Sequence, residues 1–310
     1  MAHTAWVFPG QGSQAVGMLA ELAVANPVVQ ETFAEASAAL GLDLWALAQN
    51  GPEAVLNATQ NTQPVLLTAG IAVWRAWLQA GGARPDYVAG HSLGEYTALV
   101  AAGVLSLADG VRLVAERGRL MQEAVPAGEG AMAAILGLDD AAVIAACAEA
   151  GQGEVVSAVN FNAPGQVVIA GRTAAVQRAI ELLKAAGAKR ALPLPVSAPS
   201  HCDLMRPAAT RLAQHLTTIP FNDPVIPVVQ NVSARVAGDR ASLQAALLEQ
   251  LYSPVRWVES VQWLVDHGVT CFIESGPGKV LTGLDKRIAK DAEHLAIDAP
   301  DAFQAALARA

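Results

Sequence analysis

Gly90-His91-Ser92-Leu93-Gly94 is a G-x-S-x-G pentapeptide. It follows a short apolar run, Tyr87-Val88-Ala89, and opens a helical stretch of small residues, Leu93–Leu105. Between a strand and a helix, such a serine occupies a sharp, strained turn with its hydroxyl exposed above the sheet, and the glycines let strand and helix approach closely. The Leu93 amide, at the helix N-terminus, then points to where an oxyanion would form, and the helix dipole adds to the attraction. A chance match in a glycine- and alanine-rich chain is the bland alternative. The strand and helix around the motif favour Ser92 as a nucleophile.

A serine nucleophile needs a base. The chain has six histidines: His3, His91, His201, His215, His267 and His294. His91 adjoins Ser92 and is expected to point away from it across the turn. His3 is near the start, His215 and His267 lie on or at the ends of polar-faced helices, and His294 lies in a charged tail. His201 differs, because it follows Val196-Ser197-Ala198-Pro199-Ser200 at a junction between two sequence patterns, where sites gather. Helix capping is the competing role. Asp203 is too close along the chain to orient His201 well. A distant acid or a backbone carbonyl is left to hold the imidazole.

Two glycine loops and one arginine add detail. Gly10–Ala15 fits a relaxed dinucleotide fingerprint, but Pro9 interrupts the turn, and Glu31 and Glu35, where a strand-ending acid is needed, fall in a helical pattern. The loop can instead present the Gln11 amide as a second oxyanion donor, or be an ordinary turn. Gly276-Pro277-Gly278-Lys279 lacks the upstream glycine and the hydroxyl residue of a phosphate loop, which favours a structural turn. Ser106–Asp109 opens a helix as a capping box. On that helix Arg117 lies roughly 80° from the centre of the buried stripe, nearer the core than Arg112 or Arg119. A guanidinium there wants a carboxylate, from an internal salt bridge or from a substrate. No metal-ligand spacing occurs, and Cys202 beside His201 reads as a packing residue.

These residues must be positioned by a fold. Strands are expected at Thr4–Phe8, Tyr87–Ala89, Val225–Val229 and Val269–Glu274, with helices at Val65–Leu78, Leu204–Leu216, Ser242–Leu251, Val255–His267 and Val280–Lys290. The alternation indicates an α/β fold with a largely parallel sheet. Between them runs a β-α-β-β-α-β order: Ala131–Leu136, a helix capped by Asp139-Asp140, Val155–Phe161, Gln166–Ala170 after the turn Asn162–Gly165, a helix capped by Thr173, and Lys189–Val196. This is a ferredoxin-like unit. Residues 126–199 are therefore expected to be an insert in a large domain of residues 1–125 and 200–310.

The 310 residues comprise 20 basic and 28 acidic side chains, a net charge of −8, which argues against a general grip on nucleic acid. Charged residues are only 15% and hydrophobic ones 53%, excluding a disordered chain. Cys147, Cys202 and Cys271 lie far apart and read as reduced thiols. No apolar run reaches membrane-spanning length and the first ten residues lack a signal-peptide pattern, so a cytoplasmic protein is expected.

Taken together, Phe8–Gln14 (FPGQGSQ), Gly90–Glu95 (GHSLGE), Asn162–Gly171 (NAPGQVVIAG), Ser200–Leu204 around His201, Gln250–Trp257 (QLYSPVRW) and Glu274–Leu284 (ESGPGKVLTGL) resemble the malonyl-CoA:acyl-carrier-protein transacylases of bacterial fatty-acid synthesis. The resemblance implies an α/β-hydrolase-like large domain with the ferredoxin-like insert. It implies Ser92 as nucleophile, His201 as base, the Gln11 and Leu93 amides as oxyanion hole, and Arg117 on the malonyl carboxylate. The backbone carbonyl near Gln250 would orient His201, which accounts for the missing acid. Malonyl-CoA and acyl carrier protein would be the partners, with no cofactor, metal, nucleic acid or membrane, and a monomer is expected. An acidic carrier would dock on a local basic patch drawn from Lys189, Arg190, Lys279, Lys286 and Arg287. The alternatives are a polyketide-type acyltransferase for another extender unit, since Ser200 stands where many relatives carry phenylalanine, a serine thioesterase, or a non-catalytic carrier- or nucleotide-binding module.

Overall fold

The computed structural model describes residues 3–196 and 198–309. Strand β1 (His3–Phe8) is buried from Ala5 onward, as suits a parallel strand covered on both faces. Five helices follow: α1 (Ala20–Ala25), α2 (Val28–Leu40), α3 (Leu44–Asn50), α4 (Glu53–Leu56) and α5 (Thr59–Gln79). Helix α5 packs Trp74 and Trp77 edge-on against Trp6 of β1. Then come β2 (Tyr87–Gly90), α6 (Leu93–Ala101) and α7 (Leu107–Ala124), the last capped by Ser106, whose Oγ accepts the Asp109 amide at 3.0 Å. The middle of the chain forms β3 (Gly130–Leu136), α8 (Asp140–Gly151), β4 (Val156–Ala163), β5 (Gln166–Arg172), α9 (Thr173–Ala185) and β6 (Arg190–Pro193). The remainder is α10 (Arg206–Leu216), β7 (Val228–Val229), α11 (Arg240–Gln250), α12 (Trp257–Asp266), β8 (Val269–Glu274), α13 (Val280–Ile288), β9 (Glu293–Ala296) and α14 (Pro300–Leu307).

Two sheets result. The first has the order β7-β2-β1-β8-β9, with every pairing parallel. The carboxyl ends of β7, β2 and β1 therefore lie side by side, and the loops leaving them meet above one edge, where open α/β sheets place their sites. The second sheet, β4-β5-β3-β6, is antiparallel and closes the ferredoxin-like β-α-β-β-α-β unit. It has its own core, including Ile135, Val143, Ile169, Ile180 and Leu183. Val255 ties the two together: its amide donates to Val159 at 2.8 Å and its carbonyl accepts from Phe161 at 3.0 Å.

Several elements depart from the sequence reading. Helix α6 stops at Ala101, and Gly103 at φ 75° turns the chain. Strand β7 is two residues long rather than five. Val255 pairs with the small sheet and α12 begins only at Trp257. Strand β4 runs on through Ala163, so the turn shortens to Pro164-Gly165. Arg172, not Thr173, is the N-cap of α9, and the Thr173 hydroxyl donates instead to Gly128 at 2.7 Å. His294 belongs to β9 and stacks on Phe272 rather than lying in a loose tail. Ser197, in the segment leading to His201, lies outside the described residues.

The two motif glycines are required by contact. A Cβ on Gly94 would stand 1.9 Å from the Phe8 carbonyl oxygen, and one on Gly90 would stand 1.9 Å from the Gly94 carbonyl. Gly283, within α13, has nothing within 4 Å of the equivalent position. Alanine is worth about 1 kcal/mol over glycine in a helix, whereas overpacking costs about 1–3 kcal/mol or more. Urea denaturation should therefore show Gly94→Ala destabilised by about 2 kcal/mol or more and Gly283→Ala stabilised by up to about 1 kcal/mol. Equal effects at both positions would contradict the packing account.

Candidate active site

Ser92 links β2 to α6 at φ 53° and ψ −108°, a conformation that an L-residue adopts only under external restraint. Asn231 supplies it. Lying two residues past β7, beside β2, it accepts the Ser92 amide on Oδ1 at 2.7 Å and donates from Nδ2 to the Gly90 carbonyl at 2.7 Å. Both polar faces of the turn are thus held by one buried amide side chain.

His201 is also in the left-handed region, at φ 65°, with its amide bonded to the Leu251 carbonyl at 2.9 Å. Nδ1 lies 2.7 Å from the Gln250 carbonyl oxygen, which can only accept, so the proton belongs on Nδ1. Nε2 then carries the lone pair and faces Ser92 Oγ at 2.8 Å. Burial pushes the imidazole pKa down to about 3, the nearby Arg117 charge works in the same direction, and the Gln250 carbonyl opposes both. The ring is therefore neutral at physiological pH and able to accept a proton. Asp203 is exposed and pairs with Arg206, away from the ring. His91 turns from Ser92 to Asn162, with Nε2 2.7 Å from Oδ1.

Arg117 lies deeper than its helical position suggested, with no exposed surface. Nη1 donates to Gln63 Oε1 at 2.7 Å, and Nη2 donates to Gln250 Oε1 at 2.9 Å and Ser92 Oγ at 3.3 Å. The Tyr96 ring lies below the guanidinium, 5.1 Å from ring centre to Cζ. Nε is buried and has no partner among the described residues. The internal salt bridge that the sequence allowed is not formed: among the described residues no carboxylate pairs with Arg117. A buried cation held only by neutral oxygens and an aromatic face attracts an anion strongly.

Ser92 and His201 open onto a cleft between the two sheets, lined by Gln11, Thr59 and His91 on one side and Met132, Asn160, Asn162, Val168 and Leu194 on the other. The Gln11 loop is pressed onto the elbow, since a Cβ on Gly10 would stand 2.7 Å from the His91 carbonyl oxygen. The Gln11 side chain donates to Thr59 Oγ1 at 3.3 Å. Among the described residues neither the Gln11 amide nor the Leu93 amide has a protein acceptor, so both are available to an oxyanion. The dinucleotide alternative for this loop has no support, because Glu31 and Glu35 lie within α2.

Lys189, Arg190, Lys279, Lys286 and Arg287 are all exposed. Arg287 is held in place by neutral acceptors: its guanidinium donates to the Gln166 side chain and the Pro164 carbonyl, tying α13 to the β4–β5 turn. That turn meets Gly137 through the Gly137 amide and Gly165 carbonyl, and Lys189 packs over Gly137. Arg287 and Lys189 are thus joined through the β4–β5 turn, while Lys286 lies within electrostatic reach of His294 on β9. Lys279 is the N-cap of α13. Cys202 is buried and donates to the Pro199 carbonyl at 3.2 Å, as a packing residue does.

Sequence reading did not single out Asn231, Gln63 or Glu95. Glu95 lies inside the quoted GHSLGE and three residues from Ser92, so helical spacing alone places it beneath the nucleophile. It is fully buried, which pushes its pKa up to about 7 against the pull of the Asn231 amide, the Gln250 side chain and Arg117. Gln63 and Asn231 reach the site only through the tertiary fold.

Known proteins resemble the chain over nearly its whole length. The family model described as acyl transferase domain matches residues 5–300. The malonyl CoA-acyl carrier protein transacylase of Escherichia coli K12 is 60% identical over 307 residues, 99% of each chain, and that of Bacillus subtilis 168 is 47% identical over 308 residues, 99% of this chain and 97% of the other. An acyl carrier protein S-malonyltransferase from Vibrio cholerae superposes with a TM-score of 0.96 at 59% identity, covering 98% of this chain and 100% of that one. A malonyl-transacylase solved in complex with a type II PKS acyl-carrier protein superposes at 0.98 and 55% identity over the full length of both. With its parallel sheet, its ferredoxin-like unit and a serine elbow facing a histidine, the chain belongs to the acyl transferase domain family.

Proposed function

We propose that the protein transfers a malonyl group from malonyl-CoA to the phosphopantetheine thiol of an acyl carrier protein through a malonyl ester on Ser92. The observation that carries this reading is Arg117: a fully buried guanidinium, unpaired with any carboxylate among the described residues, 3.3 Å from Ser92 Oγ. In a malonyl ester the free carboxylate lies two bonds from the carbonyl carbon, so whatever binds it must lie within a few bond lengths of Oγ. An acetyl group has nothing to offer that charge.

The steps follow from the hydrogen bonds. His201 Nε2 takes the Ser92 proton as Oγ attacks the thioester carbonyl. The developing oxyanion is stabilised by the amides of Gln11 and Leu93, the latter at the positive end of α6. The carbon–sulfur bond breaks, and the departing coenzyme A thiolate takes the proton back from His201. The carrier thiol then gives its proton to His201 and attacks the ester, and Ser92 Oγ leaves with that proton. The Gln250 carbonyl stabilises the protonated imidazole formed twice in the cycle. No cofactor takes part in this scheme. Residues 126–199 form an insert in a large domain of residues 1–125 and 200–310, and the carrier docks along Lys189, Arg190 and Lys286, with Arg287 holding that edge together. Among the described residues no helix is long and apolar enough to cross a membrane, and a cytoplasmic location suits the soluble substrates.

Initial rates over a matrix of malonyl-CoA and carrier concentrations should give parallel double-reciprocal lines, the signature of a substituted-enzyme cycle; converging lines would contradict it. Arg117→Ala should lower kcat/KM for malonyl-CoA by about 30-fold or more while changing that for acetyl-CoA much less, in keeping with about 2–5 kcal/mol for a buried charge pair. An unchanged malonyl preference would remove Arg117 from the role. His201 also makes stability pH-dependent. Its pKa falls from 6.5 to about 3 on folding, so the unfolded chain binds the extra proton between those values, and the contribution present above 6.5 is lost as pH falls. From about pH 7.5 to about pH 5, His201→Gln should lose about 2 kcal/mol less unfolding free energy than wild type. Parallel losses would show that the ring is not held neutral.

A further inference from the structure

Glu95 touches neither Ser92 Oγ nor Arg117, yet its carboxylate decides how the site is wired. Oε2 accepts from the Asn231 amide at 3.0 Å and from Gln250 Nε2 at 2.7 Å. Oε1 is buried and has no partner among the described residues. An ionised carboxylate only accepts, so the NH2 of Gln250 faces Glu95. The same NH2 donates to the Ser92 carbonyl at 3.0 Å. The Gln250 oxygen is therefore turned to the opposite side, where it accepts Arg117 Nη2 at 2.9 Å. With the amide reversed, its oxygen would face the carboxylate and the Ser92 carbonyl while its NH2 faced the guanidinium, so all three contacts would be repulsive.

Arg117 is thus held by two neutral amide oxygens, Gln63 Oε1 and Gln250 Oε1. Neutral acceptors fix the direction of the guanidinium without cancelling its charge, whereas a carboxylate in the same place would compete with an anionic acyl group. We propose that Glu95 is a positioning residue that locks the orientation of the Gln250 amide, so that selectivity for carboxylated acyl groups depends on a side chain that contacts neither the acyl group nor Arg117. This inference rests on the transacylase reading above.

The test compares single-turnover acylation by malonyl-CoA and by acetyl-CoA in wild type, Glu95→Gln, Gln250→Met and the double variant. Glutamine at position 95 keeps the volume, and its oxygen, pinned at the Oε2 position by the Asn231 amide, still faces the Gln250 NH2, but as a neutral and therefore weaker acceptor that holds the amide less firmly. The expected result for Glu95→Gln is a loss of malonyl-over-acetyl preference of about tenfold, with acetylation changed much less. Gln250→Met should lose a similar preference, and the double variant should lose no more than either single one, because Glu95 acts only through Gln250. If Glu95→Gln does not fold, Gln250→Met alone decides the matter, and a retained preference there overturns the proposal. Equal losses for both acyl groups, or losses that add in the double variant, would mean that Glu95 merely supports the elbow. Wild type without a malonyl preference would overturn the transacylase reading and this inference together; a wild-type preference kept by the variants overturns this inference alone.

Discussion

The site depends on one strained turn. Ser92 at φ 53° and ψ −108° costs on the order of 1–3 kcal/mol, and the fold must over-determine the turn to keep it. Three constraints do so. Gly90 and Gly94 let β2, α6 and the end of β1 approach closer than any side chain allows. Asn231 satisfies the amide before the turn's apex and the carbonyl ahead of it. The Gln250 side chain holds the Ser92 carbonyl, and its backbone carbonyl holds His201. The parallel order β7-β2-β1 brings the first two together, and α11 delivers the third.

Charge is arranged on the same frame. Arg117, Glu95 and His201 are all buried, so electrostatic interactions among them are little screened. Arg117 helps to keep His201 neutral in the resting state, as the base must be. Glu95 offsets part of the arginine's charge from one amide away and leaves the guanidinium open to an anion. Removing either partner of such a network leaves a desolvated polar group, so truncations here are expected to be costly and strongly non-additive.

Much of this could be read from residue order, for identifiable reasons. The elbow is a local motif whose strand and helix are contiguous with it, and the antiparallel unit announces itself through alternating strands and an Asp139 cap. His201 was found by elimination among six histidines. Partners remote in sequence were not legible: Asn231 is 139 residues from Ser92 and Gln63 is 54 from Arg117, and neither sits in a pattern that marks it. Strand β7 is shorter than its apolar run suggests because the residues before it are held by loop hydrogen bonds, Val225 to Ala102 among them. Strand β9 is not legible in the sequence because it is a short sheet edge with an exposed glutamate, which reads as tail. Helical arithmetic puts Arg117 at the core margin because it cannot see that a neighbouring helix supplies Gln63 as a polar partner inside the core.

The central claim is that this turn makes Ser92 Oγ the acyl carrier between two substrates. The most direct measurement is peptide mapping by tandem mass spectrometry after acid quench of a brief reaction with malonyl-CoA and no carrier. The account predicts one malonyl ester, on Ser92 in the peptide containing Gly90–Glu95, discharged within seconds when holo carrier protein is added. An ester on another residue, or release of coenzyme A with no protein adduct at any time, would contradict it.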